Sequence, residues 1–229
     1  MFAKIYMLFA LLGLMSVAAA FILGFRFHAS APMGNYLFNV LLYSAFIAVH
    51  IAMTTPWFKR LAYGRPEGAP GERRVYITVS VVTWVAVYFL HRPVPGFGFV
   101  APEWLVLLGL CGVLLSVVAF FEFATFDNLA ALVAVPGVEL SHTAGAETPL
   151  LTEGPYAQVR HPMYRAFFYL GASSLLMHPN AGQLLFAIMV LLSFVAFIPF
   201  EERQLLKARG EEYARYMQRV PYRILRGVW

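Results

Sequence analysis

The stretch Ala181–Glu202 reads AGQLLFAIMVLLSFVAFIPFEE, an uncharged run from Ala181 to Phe200 closed by two adjacent glutamates. At about 1.5 Å per residue a helix over 181–200 covers roughly 30 Å, the hydrocarbon thickness of a bilayer. It therefore predicts a membrane-spanning helix. Outward from it, comparable apolar windows lie at Ile5–Phe25, Tyr36–Met53, Val75–Leu90, Trp104–Phe121 and Pro162–Met177. The third and fifth windows in chain order are short for a span and are expected to need snorkelling ends or local thinning. Composition agrees with lipid as the solvent. Of 229 residues 60% are hydrophobic and 13% charged, against about 25% charged in a soluble domain, and Lys4 and Arg26 are the only charges among the first 58 positions. The expected fold is all-α: a polytopic integral membrane protein with six transmembrane helices and a C-terminal amphipathic cytoplasmic helix, as one membrane domain over 1–229 with its tail at 201–229.

The charges orient this arrangement. With the N-terminus in the cytoplasm, Lys4, Lys59, Arg60, Arg65, Arg73, Arg74, Arg160, Arg165 and every basic residue after Phe200 fall inside, and only Arg26 and Arg92 fall outside. The positive-inside rule then places both termini in the cytoplasm, with a bacterial inner membrane as the expected location. The first window runs longer than a signal-peptide core and follows a single basic residue, so it is expected to stay in the mature chain. The formal charge of +5 reports topology, since the arginines are scattered between apolar runs and do not line a nucleic-acid face. A lone cysteine, Cys111, excludes an intrachain disulfide framework and a cysteine-rich zinc cluster. The sole Gly-x-Gly, Gly96-Phe97-Gly98, lacks a third glycine and falls in an extracytoplasmic turn, which excludes the soluble nucleotide-binding architecture.

Two polar clusters carry the chemistry. Gly154-Pro155-Tyr156-Ala157-Gln158-Val159-Arg160-His161-Pro162-Met163-Tyr164 reads as a turn leading into a helix. Pro162 suits the first helical position, so Arg160 and His161 sit at the positive helix end, where an anion is favoured. Spacing alone leaves open that Arg160 and Arg165 anchor the interface while His161 caps the helix. The second cluster begins at Glu201-Glu202 and continues through Leu206, Tyr213, Met217 and Val220, which recur at helical spacing as one apolar stripe. This tail is expected to be an amphipathic helix, either lidding a pocket or resting on the membrane surface. Adjacent carboxylates at a cytoplasmic membrane exit need a positive partner or solvent. S-adenosylmethionine, with its sulfonium and ammonium, its carboxylate and its adenine face, is compatible: Glu201 and Glu202 for the ammonium or ribose, Arg160 and His161 for the carboxylate, Tyr164 or Tyr213 for the adenine.

These two motifs at this separation resemble the C-terminal signature of the isoprenylcysteine carboxyl methyltransferase superfamily. The resemblance rests on Arg160-His161-Pro162 with Tyr164, on Glu201-Glu202-Arg203-Gln204-Leu205-Leu206, and on Gly210 to Tyr216 with Arg219-Val220-Pro221. It implies a small integral-membrane enzyme that binds S-adenosylmethionine between its terminal helices on the cytoplasmic side. Upstream, His50, Pro56-Trp57-Phe58-Lys59-Arg60, Glu72-Arg73-Arg74-Val75-Tyr76 and Phe126-Asp127 are similar to bacterial methanethiol S-methyltransferases and their NnrU-type relatives. Ala166, Ile51 and the ending Tyr222-Arg223-Ile224-Leu225 depart from the usual pattern and bear on the acceptor more than on the cofactor.

Methyl transfer is an in-line displacement that needs alignment and desolvation and no metal. The expected acceptor is a small or lipid-soluble thiol; a prenylcysteine carboxylate or a phospholipid amine is the alternative within this chemistry. A thiol titrates near 8.5, so a cation such as Arg219 or Arg73 would favour the thiolate, and His50 in the second window is a further candidate catalytic residue. A haem-binding NnrU-type protein using His50 with His161 or His91, distinguishable by a Soret band, and a non-catalytic membrane protein are the rival classes. The loop from Ala134 to Thr152 is a candidate cover for the pocket.

Overall fold

The computed structural model describes residues 2–25, 28–65, 71–126 and 149–229. Arg26, Asp127 and the part of the candidate covering loop up to residue 148 lie outside the described residues. Eight α-helices follow one another among them: α1 (Phe2–Leu23), α2 (Gly34–Thr54), α3 (Pro56–Tyr63), α4 (Glu72–Leu90), α5 (Glu103–Phe126), α6 (Pro162–Met177), α7 (Ala181–Arg209) and α8 (Glu211–Arg219), with a short 3-10 turn at Gly154–Ala157 before α6. No strand occurs among the described residues, which carry an isolated bridge between Gly98 and Asn180. The protein is all-helical.

Four helices are long and apolar enough to cross a bilayer: α2, α4, the Glu103–Phe123 part of α5, and α7. Their apolar side chains face outward as well as inward. On α5 alone Leu107, Leu108, Leu114, Leu115 and Phe121 are all exposed, an arrangement that water would penalise and hydrocarbon does not. The protein is therefore an integral membrane protein. α1 coincides with the first apolar window. α6, at 16 residues, extends about 24 Å and is shorter than the hydrocarbon core.

The chain divides into two compact units, the first formed by the described residues of Met1–Ala101 together with His178–Met189, the second by those of Pro102–Leu132, Glu139–Met177 and Val190–Trp229. In the first, Phe186 at the start of α7 packs against Phe21 and Phe25, with ring centroids 4.7 and 4.6 Å away. Polar backbone is closed internally there. Asn39, fully buried on α2, donates to the Arg92 carbonyl at 2.8 Å and accepts from its N–H at 3.0 Å. Gln183 accepts from the Phe25 N–H at 3.0 Å. α1 ends on Gly24 at φ +71°, where a Cβ would come within 2.6 Å of the His178 ring. Both the left-handed conformation and the close approach require glycine.

In the second unit α5 and α6 meet along small residues, which let two backbones approach in lipid. A Cβ on Gly112 would meet the Ser173 hydroxyl, and one on Gly109 would stand 3.0 Å from the Ser173 carbonyl. Ser116 on α5 donates across to the Ala166 carbonyl at 2.8 Å. Past Phe200 the polar tail is not one helix. α7 continues to Arg209, Gly210 turns the chain at φ +54°, and α8 follows. The stripe read from the sequence then folds inward: Tyr213, Tyr216 and Val220 are buried together, with Leu150, Leu205, Leu206 and Met217 packed around them.

Candidate functional site

The site is assembled where the start of α6, the end of α7, and α8 with its following strap converge, all within the second unit. Gly154 begins the 3-10 turn at φ +57°, and the turn buries Pro155 and Tyr156. Beyond it the backbone runs alongside the strap: the Arg160 N–H donates to the Tyr222 carbonyl at 2.9 Å and the His161 N–H to the Arg223 carbonyl at 2.8 Å. Arg165, one turn into α6, braces this corner through Gln158 at 2.9 Å and Glu122 at 3.0 Å. These contacts fix Arg160 and His161, both buried, before any ligand is considered.

The two adjacent glutamates have different neighbours, because consecutive helix residues point about 100° apart. Glu202 is buried. Its Oε1 accepts from Arg160 Nε at 2.7 Å and approaches His161 Nε2 at 3.3 Å. Its Oε2 accepts from Arg223 Nε at 3.0 Å, with Nη2 at 2.9 Å. Burial alone would raise the pKa of this carboxyl, but the hydrogen bonds from His161, Arg160 and Arg223 prevail and hold it at about 2. Glu202 is thus a permanent anion that ties α6, α7 and the strap together. Arg160 extends the tie through Nη1, which donates to the Val220 carbonyl at 2.7 Å.

Glu201 turns the other way, its side chain 23% exposed. It accepts from the Tyr164 hydroxyl at 3.2 Å and lies 3.5 Å from His161 Nδ1. The Tyr164 ring stacks between His161 and Phe194, with centroids 5.6 and 4.8 Å away. His161 is flanked by both carboxylates; burial works against its charge, yet Glu201 and Glu202 together raise its pKa above the ordinary 6.5. The protonated form is therefore held more tightly in the folded protein than in the unfolded chain. Its contribution to stability is complete below about pH 6.5 and is lost as pH rises through the raised value. Melting temperature followed from pH 6 to 9 should fall over that interval relative to His161→Gln; parallel curves would remove His161 from the cluster's electrostatics.

Between these elements lies an open cleft with about 480 Å³ of empty space. Arg160, His161, Tyr164 and Glu201 line its polar side; Phe123, Leu150, Leu151, Met163 and Leu205 line its apolar side, and Tyr213 and Tyr216 of α8 close it. Five of the six residues expected to hold a cofactor, Arg160, His161, Tyr164, Glu201 and Tyr213, share this lining, and Glu202 holds Arg160 from behind it. The residues expected to act on an acceptor are elsewhere. Arg219 is exposed on α8 and is not part of the lining. Arg73 and His50 belong to the first unit, where His50 Nδ1 donates to the Phe46 carbonyl at 2.8 Å. The sequence reading did not single out Tyr216, or Arg223 as a partner of Glu202. The i, i+3 pairing of Tyr213 and Tyr216 was a usable signal for the first; for Arg223 no local pattern exists. Among the described residues no group of three or more His, Cys, Asp or Glu is placed to hold a metal ion.

The chain is similar in sequence to known methyltransferases. The isoprenylcysteine carboxyl methyltransferase (ICMT) family matches residues 138–207. The chain is 31% identical over 194 residues to methanethiol S-methyltransferase 2 of Bradyrhizobium diazoefficiens, covering 81% of this chain and 71% of that one. It is 30% identical over 200 residues to methanethiol S-methyltransferase of Mycobacterium tuberculosis, covering 83% and 79%. Protein-S-isoprenylcysteine O-methyltransferase B of Arabidopsis thaliana is 39% identical over 74 residues, 31% of this chain and 37% of that one. No solved structure matches the chain significantly.

Proposed function

Since the chain belongs to the isoprenylcysteine carboxyl methyltransferase superfamily, on its methanethiol S-methyltransferase branch, we propose that the cleft of the second unit is where this membrane methyltransferase holds S-adenosylmethionine, and that the methyl group passes to a small or lipid-soluble thiol. The observation that carries the donor reading is the meeting of Arg160, His161 and Tyr164 with Glu201 in one lining. The donor set fits the group. The carboxylate Glu201 is partly open to the cleft, Arg160 has its Nε and Nη1 engaged but no protein partner for Nη2 among the described residues, and apolar side chains share the lining with them. When bound, S-adenosylmethionine supplies an electrophilic methyl group on a sulfonium.

Glu201 would hold the ammonium or ribose, and Arg160 the carboxylate at the start of α6. Glu202, saturated by Arg160 and Arg223, keeps Arg160 aimed and touches no ligand in this reading. Leu150, Leu151 and Phe123, in the same lining, would help exclude water around a bound donor, which favours displacement over hydrolysis. Three cations, Arg160, Arg223 and His161 when protonated, face the two carboxylates of the cluster, so the cleft can lower the pKa of an approaching thiol. Arg219 at the open end of α8 is proposed as a further thiolate-favouring cation, with Arg73 and His50 of the first unit as the other candidates. We also propose that α1 and α6 complete six spans in a single membrane domain, with both termini cytoplasmic in a bacterial inner membrane. The positive-inside distribution supports this.

Membranes containing the protein, given methyl-labelled donor and a panel of thiols, prenylcysteines and aminophospholipids, are expected to label a thiol. Transfer only to a carboxylate or an amine would replace the acceptor class, and transfer to none would remove the proposed acceptors. Repeated with Arg219→Ala, the assay should show the limb on which rate rises with pH moved toward higher pH; an unchanged profile would take Arg219 out of the mechanism.

A further inference from the structure

Tyr213 and Tyr216 lie one turn apart on α8, their rings 5.7 Å from each other, both buried at 2% and 4% exposure and both lining the cleft. Their hydroxyls are not equivalent. Tyr216 donates to the Tyr156 carbonyl at 2.9 Å and so pins α8 to the 3-10 turn. The Tyr213 hydroxyl makes no hydrogen bond among the described residues. The hydroxyl is not sealed from solvent: it opens on the cleft that Tyr213 lines, where a ligand or water can complete it. Burial, reinforced by the neighbouring Glu202 and Glu201 charges, raises the pKa of this phenol despite the opposing effect of Arg160. It is thus a neutral donor at physiological pH and not a base. Arg160 lines the same cleft with Nη2 unengaged among the described residues.

Two unused donors in one cleft lining, a neutral O–H and a charged N–H, suit an anion with two oxygens. Glu201, on that lining too, supplies the opposite charge. From this we infer that the Tyr213 hydroxyl, with Arg160 Nη2, receives the carboxylate of an amino-acid group, and that Tyr213 serves the methyl donor through its hydroxyl and not by covering the adenine. The inference rests on the donor reading above. It divides the twin tyrosines into a ligand contact and a structural pin.

The test is calorimetric titration of the full chain in lipid nanodiscs with S-adenosylhomocysteine and with 5′-methylthioadenosine, which keeps the adenosine and thioether but lacks the amino-acid group. Tyr213→Phe retains the ring. It is expected to weaken S-adenosylhomocysteine binding about 10- to 100-fold, leave 5′-methylthioadenosine binding as in wild type, and leave the melting temperature unchanged. Tyr216→Phe is expected to do the reverse, lowering the melting temperature with both affinities preserved. Wild-type affinity for S-adenosylhomocysteine in Tyr213→Phe overturns the inference while the donor reading stands. So does equal weakening toward both ligands, or a melting temperature that falls as in Tyr216→Phe. A wild-type protein that binds neither compound overturns the donor reading and the inference with it.

Discussion

Glu202→Gln is expected to destabilise the second unit by about 3–5 kcal/mol, the range seen when one member of a buried ion pair is removed. The reason is what it leaves behind. Arg160 is buried and keeps its charge, and a glutamine amide offers a single oxygen where the carboxylate served Arg160 at 2.7 Å and Arg223 at 3.0 and 2.9 Å. One guanidinium therefore meets an NH2 group in place of an acceptor and both lose the opposing charge, though solvent compensates Arg223 in part because its side chain is 28% exposed. With the strap released, the backbone bonds from Arg160 to Tyr222 and from His161 to Arg223 lose their side-chain support. In a thermal unfolding experiment the melting temperature should drop by on the order of 10 °C, and S-adenosylhomocysteine binding should be lost together with it. A Glu202→Gln protein that melts and binds like wild type would mean that the cluster is not what closes the site.

Glu201→Gln is expected to separate binding from folding. Its hydrogen bond to Tyr164 is long at 3.2 Å, and its approach to His161 is longer at 3.5 Å. Glutamine can still accept from that hydroxyl, so the melting temperature should stay within a few degrees of wild type. Affinity for S-adenosylhomocysteine should nevertheless fall about 10- to 100-fold, the scale of a hydrogen bond to a charged group, because Glu201 is the only carboxylate among the described residues lining the cleft. Equal affinity in Glu201→Gln and wild type would move the ammonium or ribose contact elsewhere. The adjacent pair thus yields two distinct phenotypes, one chiefly of stability and one of affinity.

Much of this was legible in the sequence. The run over 181–200 read as a spanning helix because twenty uncharged residues match the bilayer, and α7 contains it. Arg160-His161-Pro162 read as a turn into a helix because proline belongs at a helix start, and α6 begins at Pro162. The apolar stripe of the tail put Tyr213 and Val220 on one face and left open whether that face covers a pocket or the membrane; both side chains are buried. Hydropathy alone could not give α4 its full length, because Glu72, Arg73 and Arg74 open that helix ahead of the apolar window at Val75. Nor could it divide the labour of Glu201 and Glu202. That difference comes from their direction on the helix and from Arg223, which reaches Glu202 from 21 residues away through a fold-dependent contact. The break at Gly210 was missed for a similar reason: the stripe spacing continues across it, and only the positive φ of this glycine reveals that the tail turns back.

The central claim is that the methyl donor lies in the cleft of the second unit, between the start of α6, the end of α7, and α8. Ultraviolet cross-linking of methyl-labelled S-adenosylmethionine to the full chain in nanodiscs, followed by peptide mapping, tests it most directly. The label is expected in peptides spanning 154–165 or 201–220, at Tyr164 or Tyr213, and to be displaced by excess S-adenosylhomocysteine. Displaceable label confined to residues 1–101 would contradict the account.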